Sequence, residues 1–335
     1  MTVSVGLGIP TYGVFPGDTP TFFAELAEVA DAGGIDTCWV PDHLTLPEDD
    51  VRANGGRTQV DEPLEAWTVL TMMAAHSTRL RLGTEVTPLP LRHPVLLAQT
   101  VATLDVLSNG RAVLGLGGGW YRDEFEQAGI AFHPYRRRLD QTRAGARLLR
   151  ALLNGESVSS SDPFYHLRGA CVRVRREGGR PPIWFGGRSE SVLRLAAELG
   201  DGWITATNAS PEEVQAGQVR LYTLLREVGR PEDAVTIGVP FVARVAGTTE
   251  RARADIEAYI ERGAFEGFAK QFLEDATRAY GIWGSTKDCV RKLSPYLDLG
   301  VGHVILDVRP PGHSLDSVRR ICGELIPLLE TEVRR

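Results

Sequence analysis

Apolar positions along this chain come in short runs, and the spacing between runs switches to that of a helix face. TVSVGLGI (2–9) is an apolar, glycine-interrupted run of strand length. Over 20–33, Phe23, Leu26, Ala27 and Ala30 fall on one face of a helix, and Gly33-Gly34 stop it. IDTCWV (35–40) returns to a strand. A loop of roughly twenty residues follows, a length more often functional than decorative. The alternation then continues to the C-terminal end. Strands are predicted at 79–89, 110–119, 181–187, 201–206, 234–245 and 303–308, and helices at 64–76, 95–108, 136–153, 189–199, 211–228, 248–279, 285–299 and 314–333.

Eight strands, each followed by helix, fit a (β/α)8 TIM barrel. A doubly wound sheet would place a GxGxxG turn after the first strand, but that strand runs into GIPTYG. The whole chain, 1–335, therefore reads as a single barrel domain with insertions near 44–62, 157–175 and 250–283. Within the second of these, SVSSSDPFYHLRGACVRVR carries turn residues between short β-prone runs, an antiparallel excursion.

A barrel gathers its functional groups at the carboxyl ends of its strands. That face should carry Asp42 and His43, then Glu85, Val86 and Thr87, then Gly117, Gly118, Gly119 and Trp120. Gly186, Gly187 and Arg188 should join them, as should the segment from Thr205 to Asn208. An aspartate and a histidine ending the buried strand CWV could ligate a metal or handle protons. A metal needs more ligands than the few His, Asp and Glu side chains at the other strand ends offer, which argues against a metallohydrolase. Proton or hydride work beside a redox cofactor remains. The glycines of GLGGGW leave room for a flat ligand or another backbone, and Trp120 could wall a planar ring. In WFGGRSES, glycines and Arg188 at a helix start suit a phosphate, with Ser189 as cap.

Composition narrows the partners. The chain has 335 residues, 43% hydrophobic and 24% charged, with a net charge of −6, which argues against nucleic acid or an anionic membrane surface as main partner. Cys38, Cys171, Cys289 and Cys322 form no CxxC pair, as expected of a reduced cytoplasmic protein without a zinc site. No apolar run reaches transmembrane length.

Three blocks carry a resemblance. GTEVTPLPLRHPVLLAQTVATLDVLSNGRAVLGLGGGW (83–120), PPIWFGGRSESVLRLAAELGDGWI (181–204) and GSTKDCVRKLSPYLDLGVGHVIL (284–306) resemble, in order, signatures of the bacterial luciferase-like superfamily, especially its deazaflavin-dependent branch. The resemblance implies a TIM-like barrel, usually a homodimer, with a flavin-type ring at the strand-end mouth. It implies Asp42 and His43 beside the reactive ring edge, a non-proline cis peptide at Glu85-Val86 behind the ring, and Gly186, Gly187 and Arg188 at the phosphate. Asp42 would orient His43 or bond the ring. The expected activity is hydride transfer between coenzyme F420 and a small organic substrate. The alternative is an FMN-dependent monooxygenase in which His43 stabilises a peroxy adduct; a non-catalytic flavin-binding protein ranks last. Sugar-phosphate dehydrogenase members of the branch carry a carboxylate where this chain has Trp120, which implies a flatter or more apolar substrate. Glu85 is also unusual in a bulge where small or hydroxyl residues are common.

Overall fold

The computed structural model describes residues 3–13, 15, 18–47, 62–174, 176–262, 270–308 and 315–333. Its strands are β1 (Ser4–Gly8), β2 (Thr37–Val40), β3 (Arg81–Thr84), β4 (Thr87–Pro88), β5 (Ala112–Gly117), β6 (Val158–Ser161), β7 (His166–Ala170), β8 (Ile183–Gly186), β9 (Gly202–Ile204), β10 (Thr236–Val245), β11 (Ile282–Gly284) and β12 (His303–Asp307). Eight of them pair in parallel in the order β1-β2-β3-β5-β8-β9-β10-β12, and β12 returns to β1. The sheet is thus a closed (β/α)8 barrel, and closure leaves no open edge among those eight strands. Nearly every barrel-strand residue is buried, the pattern of parallel strands covered on both faces.

The helices are α1 (Thr19–Ala32), α2 (Ala66–Ala75), α3 (Pro94–Leu107), α4 (Arg122–Gln127), α5 (Tyr135–Leu153), α6 (Glu190–Leu199), α7 (Pro211–Glu227), α8 (Thr249–Glu261), α9 (Lys270–Tyr280), α10 (Thr286–Asp298), α11 (Leu315–Arg320) and α12 (Ile326–Val333). Local chemistry starts several of them. Asp18 caps α1 by accepting from the Thr21 amide at 3.0 Å, and capping boxes of Ser210 with Glu213 and Ser285 with Asp288 open α7 and α10.

The structure departs from the periodic pattern at three places. The predicted strand 79–89 is split into β3 and β4 by a cis peptide between Glu85 and Val86. The predicted helix 248–279 is two helices, α8 and α9, and residues 263–269 lie outside the described residues. After α9, Ile282–Gly284 forms β11, three residues too short to read in the sequence. It exists because β10 is long enough to serve two sheets: residues 236–242 pair with β9 and β12, while Ala243–Val245 run on past the barrel and pair with β11. β6 and β7 pair antiparallel within 157–175, and most of the insertion placed at 44–62 falls outside the described residues.

The barrel interior is filled, as in other barrels of this type, by inward side chains. Trp39, Val113, Trp184, Ile204 and Ile305 form the plug, with Val86 packed against it. Toward the amino ends of the strands, the buried His303 stands edge-on to Trp39 and Trp184, with centroids 5.8 and 5.5 Å away. Its Nε2 accepts from Trp39 Nε1 at 2.9 Å, so its proton sits on Nδ1, 2.6 Å from Ser4 Oγ. Burial pushes the His303 pKa down to about 4; Arg81 adds to that and Asp36 opposes it.

Candidate active site

β2 ends at Val40, and Pro41 hands the chain to Asp42 and His43 at the strand-end mouth. The two neighbours turn to different partners. The Asp42 carboxylate is buried and takes both arms of Arg92: Nε donates to Oδ2 at 2.9 Å and Nη2 to Oδ1 at 2.6 Å. Thr87 Oγ1 donates to the same Oδ2 at 2.7 Å. Arg92 also reaches Glu65 at 2.9 Å. Burial works against the Arg92 charge, but Asp42 and Glu65 outweigh it, and its pKa is raised. This paired, bidentate geometry fixes the segment Thr87–Arg92 to the end of β2. The expectation that Asp42 orients His43 is therefore corrected: its oxygens are committed to Arg92 and Thr87.

The residue that holds His43 is Glu124, on α4. Its Oε2 lies 3.0 Å from His43 Nδ1 and accepts from the Leu44 amide at 3.3 Å. Glu124 is fully buried, and its other oxygen, Oε1, has no hydrogen-bond partner among the described residues. An unsatisfied buried polar atom costs about 1–3 kcal/mol, more when charged, so stability alone does not account for a glutamate here. Trp120, 39% exposed, stands edge-on to the His43 ring with centroids 5.7 Å apart.

Glu124 is held from behind. Gly119 has φ +73°, and a Cβ there would meet the Phe125 ring at 2.6 Å, so the missing side chain lets α4 close on the strand end. Arg138 on α5 donates to the carbonyls of Gly118 and Gly119, both at 3.2 Å, while its guanidinium lies 3.9 Å from the Phe132 ring centroid.

The floor of the mouth is Val86. Cβ atoms at Gly117 and Gly186 would meet its methyls at 2.6 and 2.8 Å, and one at Gly115 would strike the Thr84 carbonyl. The room at Gly117, expected for a flat ligand or another backbone, and that at Gly186, expected beside a phosphate, is filled by this valine, which follows the cis Glu85-Val86 bond and caps the interior plug. Gly118 is less crowded, its nearest contact being Leu139 at 3.5 Å. Glu85 donates its amide to the Val40 carbonyl at 2.8 Å, which ties the bulge to β2.

On the far side of the mouth, Gly187 has φ +132°, a conformation open to glycine. Its N–H goes to the Ile204 carbonyl at 3.0 Å and its carbonyl accepts from Trp203 Nε1 at 2.7 Å. Gly187 thus shapes the turn, and anion donors here would be the first-turn amides of α6 with Arg188. Ser189 caps α6 and meets Tyr135 Oη at 2.9 Å. The Arg188 guanidinium lies 5.6 Å from the Phe272 ring centroid. Thr205 is buried, and Asn208 is spent on the frame, donating to Thr277 and accepting from the Val242 amide.

Sequence reading missed Glu124, Arg138 and Arg92. Glu124 lies in RDEFE and Arg138 in RRR, and residue type does not separate either from its neighbours. A pattern cue exists only for Glu124: it precedes Phe125, whose burial turns that side of the short helix inward.

Fold and mouth together define a (β/α)8 barrel with an imidazole–carboxylate pair at the rim of an apolar shelf. The chain belongs to the luciferase-like monooxygenase family, whose model matches residues 3–303. It is 31% identical over 291 residues to a phthiodiolone/phenolphthiodiolone dimycocerosates ketoreductase of Mycobacterium sp. (strain JLS), covering 83% of this chain and 74% of that one. It is 25% identical over 351 residues to a 5,10-methylenetetrahydromethanopterin reductase of Methanolobus tindarius, covering 94% and 99%. Among solved structures, an F420-dependent secondary alcohol dehydrogenase in complex with an F420-acetone adduct superposes with a TM-score of 0.81 at 18% identity, covering 98% of this chain and 99% of that one.

Proposed function

We propose that the protein is an oxidoreductase that binds coenzyme F420 at the strand-end mouth and moves a hydride between it and a small organic substrate. The observation that carries this is His43: a rim imidazole with one nitrogen held by a buried carboxylate, beside an apolar shelf. Relatives support the cofactor. F420-dependent glucose-6-phosphate dehydrogenases of Nakamurella multipartita and Amycolatopsis mediterranei match over 92% of this chain, at 28% and 26% identity.

The residues fit such a group. Val86 offers an apolar floor to a flat ring, and the start of α6 with Arg188 offers donors to a phosphate. When bound, the deazaflavin supplies a carbon centre that carries a hydride and activates oxygen poorly. The chain supplies orientation and proton handling. Glu85, Val86, Thr87 and the glycines Gly117, Gly118 and Gly119 shape the cradle. Gly186 and Gly187 set the phosphate turn. Asp42 anchors the Thr87–Arg92 segment. Trp120 walls the substrate side, and His43 gives or takes the proton at a substrate heteroatom.

The second reading is an FMN-dependent monooxygenase, favoured by the family's own description. Titration of the protein with F420 and with FMN, side by side, separates them. F420 binding in the low micromolar range with weaker FMN is expected; tighter FMN binding with an oxygen-dependent product refutes the proposal.

We also propose a single barrel domain acting as a homodimer in the cytoplasm. On the outer face of α3, Leu96, Val106 and Leu107 are exposed, the kind of apolar strip a second copy covers. The four cysteines are free, and none of the described helices is long and apolar enough to cross a membrane. A monomer mass in light scattering sinks the dimer.

A further inference from the structure

We propose that Glu124 is the positioning residue of the His43 proton site: it fixes the imidazole as the Nδ1–H tautomer and leaves Nε2 to exchange the proton. This rests on the reading of His43 as the proton carrier. Glu124 Oε2 already accepts from the Leu44 amide, and the same oxygen faces His43 Nδ1 at 3.0 Å. An oxygen that accepts from one side meets Nδ1 as an acceptor again, so Nδ1 carries the hydrogen. No hydrogen bond among the described residues reaches Nε2, and the His43 side chain is 14% exposed. That nitrogen is the one left for chemistry.

The carboxylate cannot drift with the ring. α4 is keyed into the strand end by Phe125 filling the place of a Gly119 side chain, and Arg138 holds the Gly118 and Gly119 carbonyls. The adjacent backbone amide of Leu44 shares Oε2, so the anchor also fixes where the loop leaves β2. Trp120 limits ring rotation from its edge-on side. Asp42 competes for none of this, because Arg92 and Thr87 occupy it. Orientation of an imidazole through its far nitrogen is the general way a carboxylate serves a proton-transferring histidine.

The test reads the tautomer directly, in protein without cofactor. Protein labelled with 15N-histidine gives long-range 1H–15N spectra at about pH 8, above the ordinary imidazole range, and His43→Gln assigns the His43 signals. The parent is expected to show a protonated Nδ1 and a bare Nε2. Glu124→Gln keeps an accepting oxygen and should keep that tautomer. Glu124→Met removes the acceptor and should shift His43 toward Nε2–H. In turnover with F420, Glu124→Met should lower kcat by about 100-fold or more, since a wrong tautomer in a catalytic imidazole costs up to about 10,000-fold. The cofactor Kd should stay within about threefold, and Glu124→Gln should recover most of the rate. A parent His43 protonated on Nε2 overturns the proposal even if the Met variant does not fold. So does a folded Met variant with unchanged tautomer or unchanged kcat. Unchanged turnover in His43→Gln as well as Glu124→Met, with the tautomer shifted, overturns the proton role of His43 and shows Glu124 to be a structural anchor only.

Discussion

His303→Gln should remove an acid-sensitive component of stability. The native His303 is enclosed by Trp39, Trp184 and Ser4, and burial holds its pKa down at about 4. An unfolded chain binds that proton near pH 6.5. The folded value is the lower of the two, so the unfolded state takes up the proton first as pH falls. The site's contribution is complete above about pH 6.5 and is lost progressively toward about pH 4. At 1.36 kcal/mol per unit, the full loss is about 3 kcal/mol, and about 2 kcal/mol of it falls between about pH 7.5 and pH 5. Glutamine can still accept from Trp39 Nε1, so the variant keeps the buried hydrogen bond and loses only the titration. Urea unfolding of parent and variant at both pH values measures the difference. The parent should lose about 2 kcal/mol more than the variant on going to the lower pH. Equal losses would show that His303 does not resist protonation and would refute the argument.

Asp42→Asn should cost about 2–4 kcal/mol in urea unfolding, because it breaks a buried, bidentate pair and leaves Arg92 with the more exposed Glu65; a loss within 0.5 kcal/mol, roughly the scatter of surface changes, contradicts the anchoring role. Gly117→Ala should weaken F420 binding by pushing Val86 upward, and Val86→Ala in the same chain should restore much of it; additive losses in that double-mutant cycle would show that the two do not share a space. His43→Gln should lower kcat by roughly 100- to 10,000-fold with little change in cofactor Kd, and a rate close to the parent's would demote His43 to a lining residue.

The barrel was legible in the sequence because its signal is long-range and repetitive: eight apolar runs, each followed by a helical face. The break at Glu85-Val86 reached the reading only through resemblance, since nothing in TEVTP distinguishes a bulged strand from a straight one. β11 was not legible, because IWG has no period to display and forms only where β10 overshoots the barrel. At the mouth, strand-end position singled out Asp42 and His43, but not which partner each would take. Arg92 and Glu124 arrive from 50 and 81 positions away along the chain, and pairing at that separation is decided by packing. The glycines of GLGGGW were read as room for a flat ligand or another backbone; the fold spends Gly115 on the Thr84 backbone carbonyl, and Gly117, with Gly186 of the next strand, on the Val86 side chain.

That interlock of Val86 with glycines from two other strands divides the mouth into a part that resists change and a part that tolerates it. A side chain at Gly117 or Gly186 strikes Val86, so a larger residue at either glycine requires Val86 to change as well. Trp120 and Tyr121 stand outside the interlock, and Trp120 is partly open to solvent. Descendants of this chain can therefore exchange rim residues one at a time while the depth of the shelf stays constant. Libraries built to change what the protein accepts should spend their diversity at the rim and leave Val86, Gly117 and Gly186 untouched.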